Sequence, residues 1–185
     1  MTVEDIKQQT IAWLNSFIIK YNICPFAKFE HDKGSIYYSV IDSKHTEQCL
    51  EAVISECQRL DRQQEIATTL IIYPNNFIEF DDFLDFLAMA ESLLIDQQYE
   101  GIYQLASFHP HYCFAGEDVM DPANYTNRSP YPMLHLIRES SLEQALKSYP
   151  HPENIPERNI QLMREMGLEK VKRILKDALL KTKEQ

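Results

Sequence analysis

The sequence predicts a single α/β domain with a mixed sheet of about four strands and peripheral helices. Three observations predict it. Runs rich in β-branched and aromatic residues alternate with stretches of helical apolar spacing. The 185 residues, 44% of them hydrophobic, suit one core, and no repeat, low-complexity tract or second-domain boundary divides 1–185. Helices of crossover length separate the first three strands, which favours parallel βαβ units, whereas a long loop joins the last two and suits an antiparallel pair. A ferredoxin-like two-layer arrangement ranks first among specific topologies.

Each element follows from local pattern. Thr2 with Asp5 resembles a helix N-cap with its compensating acid, and Ile6, Trp13, Leu14, Phe17, Ile18 and Tyr21 recur at helical spacing. That helix stops by Cys24, because Pro25 disfavours helical geometry in the residue before it. Ile36–Ile41 reads as a strand. Asp42 and Ser43 then open a helix striped by Leu50, Val53, Ile54, Cys57 and Leu60. Ala67–Tyr73 is nearly all apolar or β-branched, as in a strand covered on both faces. Phe80, Phe83, Leu84, Leu87, Ala90, Leu93 and Leu94 mark the next helix, and Gly101 separates it from the strand Ile102–His109. Met133–Arg138 is again strand-like, and Ser140 with Glu143, or Ser141 with Gln144, supplies a capping box for a short helix. Beyond the connecting segment Tyr149–Asn154, Pro156 suits the first turn of a helix. Gly167 ends that helix, and Leu168–Leu180 makes one more.

Against 18 basic side chains stand 28 acidic ones, a formal net charge of -10. That field repels phosphate backbones and anionic membranes, so neither nucleic acid nor a lipid surface is an expected partner. A local basic pocket remains compatible with a small anion. The apolar run 11–26 is broken by Asn15, Ser16, Lys20 and Asn22, too short and polar to span a bilayer. Nothing before it resembles a secretory n-region, and the expectation is a cytoplasmic protein. Cys24, Cys49, Cys57 and Cys113 show no framework spacing and no CxxC, so free thiols are expected. Gly34, Gly101, Gly116 and Gly167 form neither GxGxxG nor a Walker signature, which argues against dinucleotide and P-loop chemistry.

The segment from Leu105 to Glu139 concentrates imidazoles, aromatic hydroxyls and arginines in a strand, long loop and strand. A loop of more than about 12–15 residues inside a domain is usually functional or disordered. Tyr112, Phe114, Tyr125 and Tyr131 make this one too aromatic for a tether, and predict that it packs on the sheet.

Several stretches together resemble one family. They are Asn22–Lys28 (NICPFAK), Phe108-His109-Pro110, Asn124–Leu136 (NYTNRSPYPMLHL), Arg138-Glu139 and Ile155–Asn159 (IPERN). The family is the bacterial one catalogued as domain of unknown function 1415, and the likeness covers essentially the whole chain. The resemblance implies no activity and no cofactor. Its pattern includes the Cys-Pro-Phe, His-Pro and Tyr-Thr-Asn-Arg-Ser-Pro elements but does not require His111 or Cys113.

Four groups of residues carry candidate chemistry. His109, His111 and Cys113 alternate, so in extended backbone they share one side, where two imidazoles and a thiolate suit a borderline metal. The competing reading is a strand end whose His109 hydrogen-bonds locally. Cys24 precedes a proline, as haem-ligating thiolates do in some proteins, but follows a helix C-terminus, where the dipole disfavours a thiolate. A nucleophilic Cys24 therefore needs His109, His135 or an arginine beside it. In the loop, Arg128 offers a planar fork for a carboxylate or phosphate, with Thr126, Asn127 and Ser129 adding donors; the alternative is a staple to backbone carbonyls. Arg158, beside Asn159 at a helix N-terminus, is a second candidate for an anion clamp. His135, alternating with Leu134 and Leu136, is either a satisfied core histidine or, if it shares a cleft with His109, half of an acid–base pair.

These readings define three functions. The first is an enzyme or binder for a small anionic metabolite, with His109, His135, Tyr125 and Cys24 as catalytic candidates and Arg128, Asn127, Ser129 and Arg158 as anion ligands. The second is a metalloprotein using Cys24 and His109. The third is a non-catalytic interaction domain using the 110–132 loop. Convergence of Cys24, His109, Arg128 and His135 in one pocket favours the first two, and dispersal favours the third.

Overall fold

Four strands, β1 (Ile36–Val40), β2 (Thr68–Ile72), β3 (Tyr103–Phe108) and β4 (Met133–Arg138), form one mixed sheet in a computed structural model that describes residues 1–180. The order is β1-β2-β4-β3. β1 and β2 are parallel, with Tyr38 opposite Leu70, and β4 runs antiparallel to both of its neighbours. The first three strands therefore point the same way, as their helical crossovers require, but β2 and β3 do not touch. β4 lies between them. The residues explain the exchange: Met133, Leu134 and Leu136 are wholly buried and suit a central strand, whereas β3 exposes Gln104 and suits an edge.

Helices cover both faces, which gives three layers rather than the two of a ferredoxin-like arrangement. β2 is buried at every position, so each face needs its own cover. On one side α3 (Thr46–Arg62) and α4 (Phe80–Asp96) pack Cys57, Leu60, Phe83 and Phe86 against Ile71, Leu134 and Leu136. On the other side lie α1 (Val3–Trp13), α6 (Ile155–Met166) and α7 (Leu168–Leu180). They bring Trp13, Met163 and Val171 onto Leu70, Ile72 and Met133. Two short helices complete the chain, α2 (Ala27–Lys33) and α5 (Glu139–Ser148).

Local signals held at some ends and not at others. Thr2 and Asp5 form the reciprocal capping box of α1, and Gly167 closes α6 at φ 77°. α3, however, starts at Thr46, and the Ser43 hydroxyl accepts the His45 N–H in the turn before it. α5 begins directly at the end of β4 with no side-chain cap, so the box of Ser140 or Ser141 is not made. Beyond Trp13 the first helix widens into a π-helical stretch, Leu14–Ile19. Such bulges are frequent at functional sites.

Arg138 ties α3 to the sheet. Its guanidinium donates to the carbonyls of Leu60, Gln63 and Ile66 at the C-terminus of α3, and to the Tyr103 hydroxyl at 3.1 Å. Tyr103 and Tyr99 in turn donate to Asp61 at 2.7 and 2.9 Å.

All four cysteines are free. Titration of denatured, unreduced protein is expected to find four thiols, and finding two would reveal a bridge.

Candidate functional site

The 110–132 loop is folded onto itself by its own polar side chains, and Asn127 ties it to β3. Arg128 donates from Nε to the Tyr112 carbonyl at 3.0 Å and from Nη2 to that of Val119 at 2.9 Å, with its guanidinium over the Tyr125 ring. Asn127 donates to the Ser107 carbonyl, Ser129 to that of Tyr131 and Thr126 to that of Ala123. Asn124, wholly buried, accepts from the Phe114 N–H and donates to the Asp118 carbonyl. The anion ligands read from the sequence are thus engaged with backbone. Arg128→Lys is expected to lower stability by roughly 1–3 kcal/mol, because two carbonyls lose a planar donor. Melting with and without phosphate checks it: an equally stable variant that loses a phosphate response seen in wild type would restore the clamp.

His109 is likewise satisfied. It is fully buried, its Nε2–H donates to the Phe77 carbonyl at 2.8 Å, and Nδ1 accepts the His111 N–H at 3.0 Å. The two bonds fix one neutral tautomer, and burial holds the pKa below the usual imidazole value. Its ring packs on Phe80 and Phe83, on the α4 side of the sheet. The Cys113 sulfur lies within reach of the Phe114 and Glu117 carbonyls, either of which accepts its one S–H. Among the described residues no group of three or more His, Cys, Asp or Glu side chains is placed to hold a metal.

Arg158 and Asn159 serve the other end of the molecule. Arg158 donates to the Tyr21 carbonyl at 3.1 Å and to that of Asn22, and Asn159 to that of Ile23 at 2.7 Å. The segments Asn22–Lys28 and Ile155–Asn159 therefore meet, with α6 capping the turn that sets Cys24. That turn is followed by α2, an unexpected helix with no side-chain N-cap or clear stripe, closed at Gly34 by a left-handed turn. The Phe26 and Ala27 amides face the Cys24 sulfur and draw its pKa down, but burial outweighs them and pushes the thiol up.

Cys24 and His135 do come together. Both line a cavity of about 170 Å³ on the α1 side of the sheet. Trp13 and Ile18 form one wall, Leu70 and Phe108 another, and Leu142 of α5 a third. Ser141, exposed, marks its opening. His135 sits half-buried on β4 opposite Leu70 and Ala106 and lines the cavity. Neither of its nitrogens has a hydrogen-bond partner among the described residues. Burial alone pushes its pKa down to about 4, so it is neutral at physiological pH. The Trp13 indole N–H is also buried with no partner. The Thr68 hydroxyl donates to the Leu136 carbonyl at 2.6 Å and keeps its lone pairs for an acceptor role.

The sheet thus separates the sequence-predicted set. His109 lies on the α4 face, Cys24 and His135 line the cavity on the α1 face, and Tyr125 joins the α1-side core with Arg128 of the loop over its ring. Trp13, Phe108 and Thr68 went unread as site residues. Helical or strand spacing marked them as apolar-face positions, and nothing local says that the face they join is incompletely filled.

The fold and cavity define a three-layer α/β protein with a partly open, mostly apolar pocket lined by a thiol and an imidazole, both neutral. The chain belongs to the family described as protein of unknown function DUF1415, whose model matches residues 5–173. No curated protein and no solved structure matches it.

Proposed function

We propose that this protein binds a small, largely apolar molecule in the cavity between the sheet and the Trp13–Ala27 region, with His135 and Cys24 as the groups that act on it. One observation carries the reading: His135, central in the sheet, keeps both nitrogens unpartnered in an apolar space. Beside it the buried Trp13 indole N–H has no partner either, and buried polar groups are almost always paired, so a ligand in the cavity would complete the site. The adjoining π-helical stretch supports the same place.

Of the three expectations from sequence, small-molecule binding is carried forward, with the site moved. An anionic ligand at Arg128 has to compete with the Tyr112 and Val119 carbonyls, and one at Arg158 with those of Tyr21 and Asn22. A metal held by Cys24 and His109 has its two ligands on opposite faces of the sheet. No described helix is long and apolar enough to cross a membrane, which is compatible with a soluble ligand carrier or enzyme.

Trp13 is the one tryptophan of the chain, so its fluorescence reports on the cavity it lines. Titration with neutral ring compounds such as toluene and benzamide is expected to give a saturable emission change and a rise in melting temperature. Ala145→Leu, which fills the cavity from α5, is expected to remove both. If none of the compounds gives a saturable change, the reading fails.

A further inference from the structure

The polar groups that the cavity leaves unpartnered are few, and they specify a ligand. The Trp13 indole is 1% exposed and its N–H has no acceptor. His135 offers one donor and one acceptor in its neutral form, and Thr68 offers acceptor lone pairs. Apart from Cys24, Glu30 and the exposed Ser141, the rest of the lining is apolar, Leu70, Phe108 and Ile18 included. A dry apolar cavity of roughly 150 Å³ takes up benzene, so about 170 Å³ suits one ring with a small substituent.

Charge is the second constraint. Among the residues lining the cavity the ionisable side chains are Cys24, Glu30 and His135, and none is a cation at neutral pH. Glu30 accepts the Ser35 hydroxyl and adds negative charge, and the whole chain carries -10. A carboxylate placed here is desolvated without a counter-ion, which is strongly unfavourable.

Resting on the cavity reading above, we infer that the ligand is a neutral, single-ring molecule bearing a carbonyl-type acceptor, which takes the Trp13 N–H while its second polar atom pairs with His135. The ring fills the space between Leu70 and Phe108. Selectivity comes from the orphaned indole donor, which a purely apolar ligand leaves unpaired, and from the missing cation, which excludes acids.

Three near-isosteric probes test it on the wild-type protein: benzamide, benzoate and toluene, each followed by thermal shift and by Trp13 emission. One buried hydrogen bond of about 1–1.5 kcal/mol corresponds to roughly tenfold, so benzamide is expected to bind about tenfold tighter than toluene. Benzoate is expected to bind more than tenfold weaker than benzamide at pH 7. Trp13→Phe, read by thermal shift, is expected to bring benzamide to within about threefold of toluene, since only the His135 contact remains. Toluene binding as tightly as benzamide overturns the indole dock, and benzoate matching benzamide overturns the neutral-ligand requirement. Absence of binding by all three overturns the cavity reading itself, and this inference with it.

Discussion

Acidification from about pH 7 to about pH 4 is expected to remove roughly 3 kcal/mol of folding free energy through His135 alone. The folded imidazole titrates at about 4 because it is buried, whereas in the unfolded chain it titrates near its ordinary 6.5. Above 6.5 both states are neutral and the residue contributes no pH dependence. As the pH falls below 6.5 the unfolded state takes up a proton that the folded state refuses, so stability is lost until the folded group titrates too. His109 is shifted in the same direction and adds to the slope. Asp5 and Asp121, whose pKa values are lowered by Thr2 and by Arg164, lose their contribution only below about 3.8, in a separate window. Urea unfolding at several pH values, for wild type and His135→Leu, isolates the term. The difference between the two should grow from pH 6.5 to 4, and parallel curves would show that His135 is protonated or absent from the linkage. A ligand in the cavity that bonds the neutral imidazole should deepen the effect.

Removing the Arg138 guanidinium is the second large effect. Arg138→Met keeps much of the stem but leaves the Leu60, Gln63 and Ile66 carbonyls and the Tyr103 hydroxyl without their donor. These groups are only partly buried, so water recovers some of the loss, and a cost of about 3 kcal/mol is expected. For a chain of this length that corresponds to a melting temperature lower by roughly 6–12 °C. Arg138→Lys should fall between the two, since one ammonium cannot reach every carbonyl that a planar fork spans. Ligand binding at the cavity, on the opposite face, should be unchanged in both. A Met variant as stable as wild type would mean that the end of α3 is held by its apolar contacts alone.

Much of this architecture was legible because it is local. The capping box at Thr2 and Asp5, the all-apolar β2 and the Gly167 stop depend on neighbours within a few residues, and spacing reveals them. So did the alternation that set His135 apart from Leu134 and Leu136. What stayed hidden depends on distant partners. β4 displaces β3 from the side of β2 because two strands compete for one central place, and a single strand pattern does not show its competitor. The placement of His109 and His135 on opposite faces follows from that register. Arg128 reads from sequence equally as clamp or staple, since its role is decided by where the Tyr112 and Val119 carbonyls lie. The cavity is least legible of all: Trp13, Phe108 and His135 each look like core, and only their assembly leaves a space.

The position of β4 bears on how the chain acquires its structure. A strand that bonds both β2 and β3 is the last of the four to leave the ribosome, so the sheet has no continuous hydrogen bonding until residues 133–138 are available. Before then β1 and β2 can pair through the α3 crossover, while β3 has no strand to bond. Pairings such as Leu70 with His135 span large sequence separations, and contacts of that kind slow folding because their loop-closure entropy must be met first. A chain interrupted within the 110–132 loop would expose one edge of β2 and all of β3, two unpaired templates of the kind that associate between molecules. Folding to completion and avoidance of aggregation therefore hang on the same six residues.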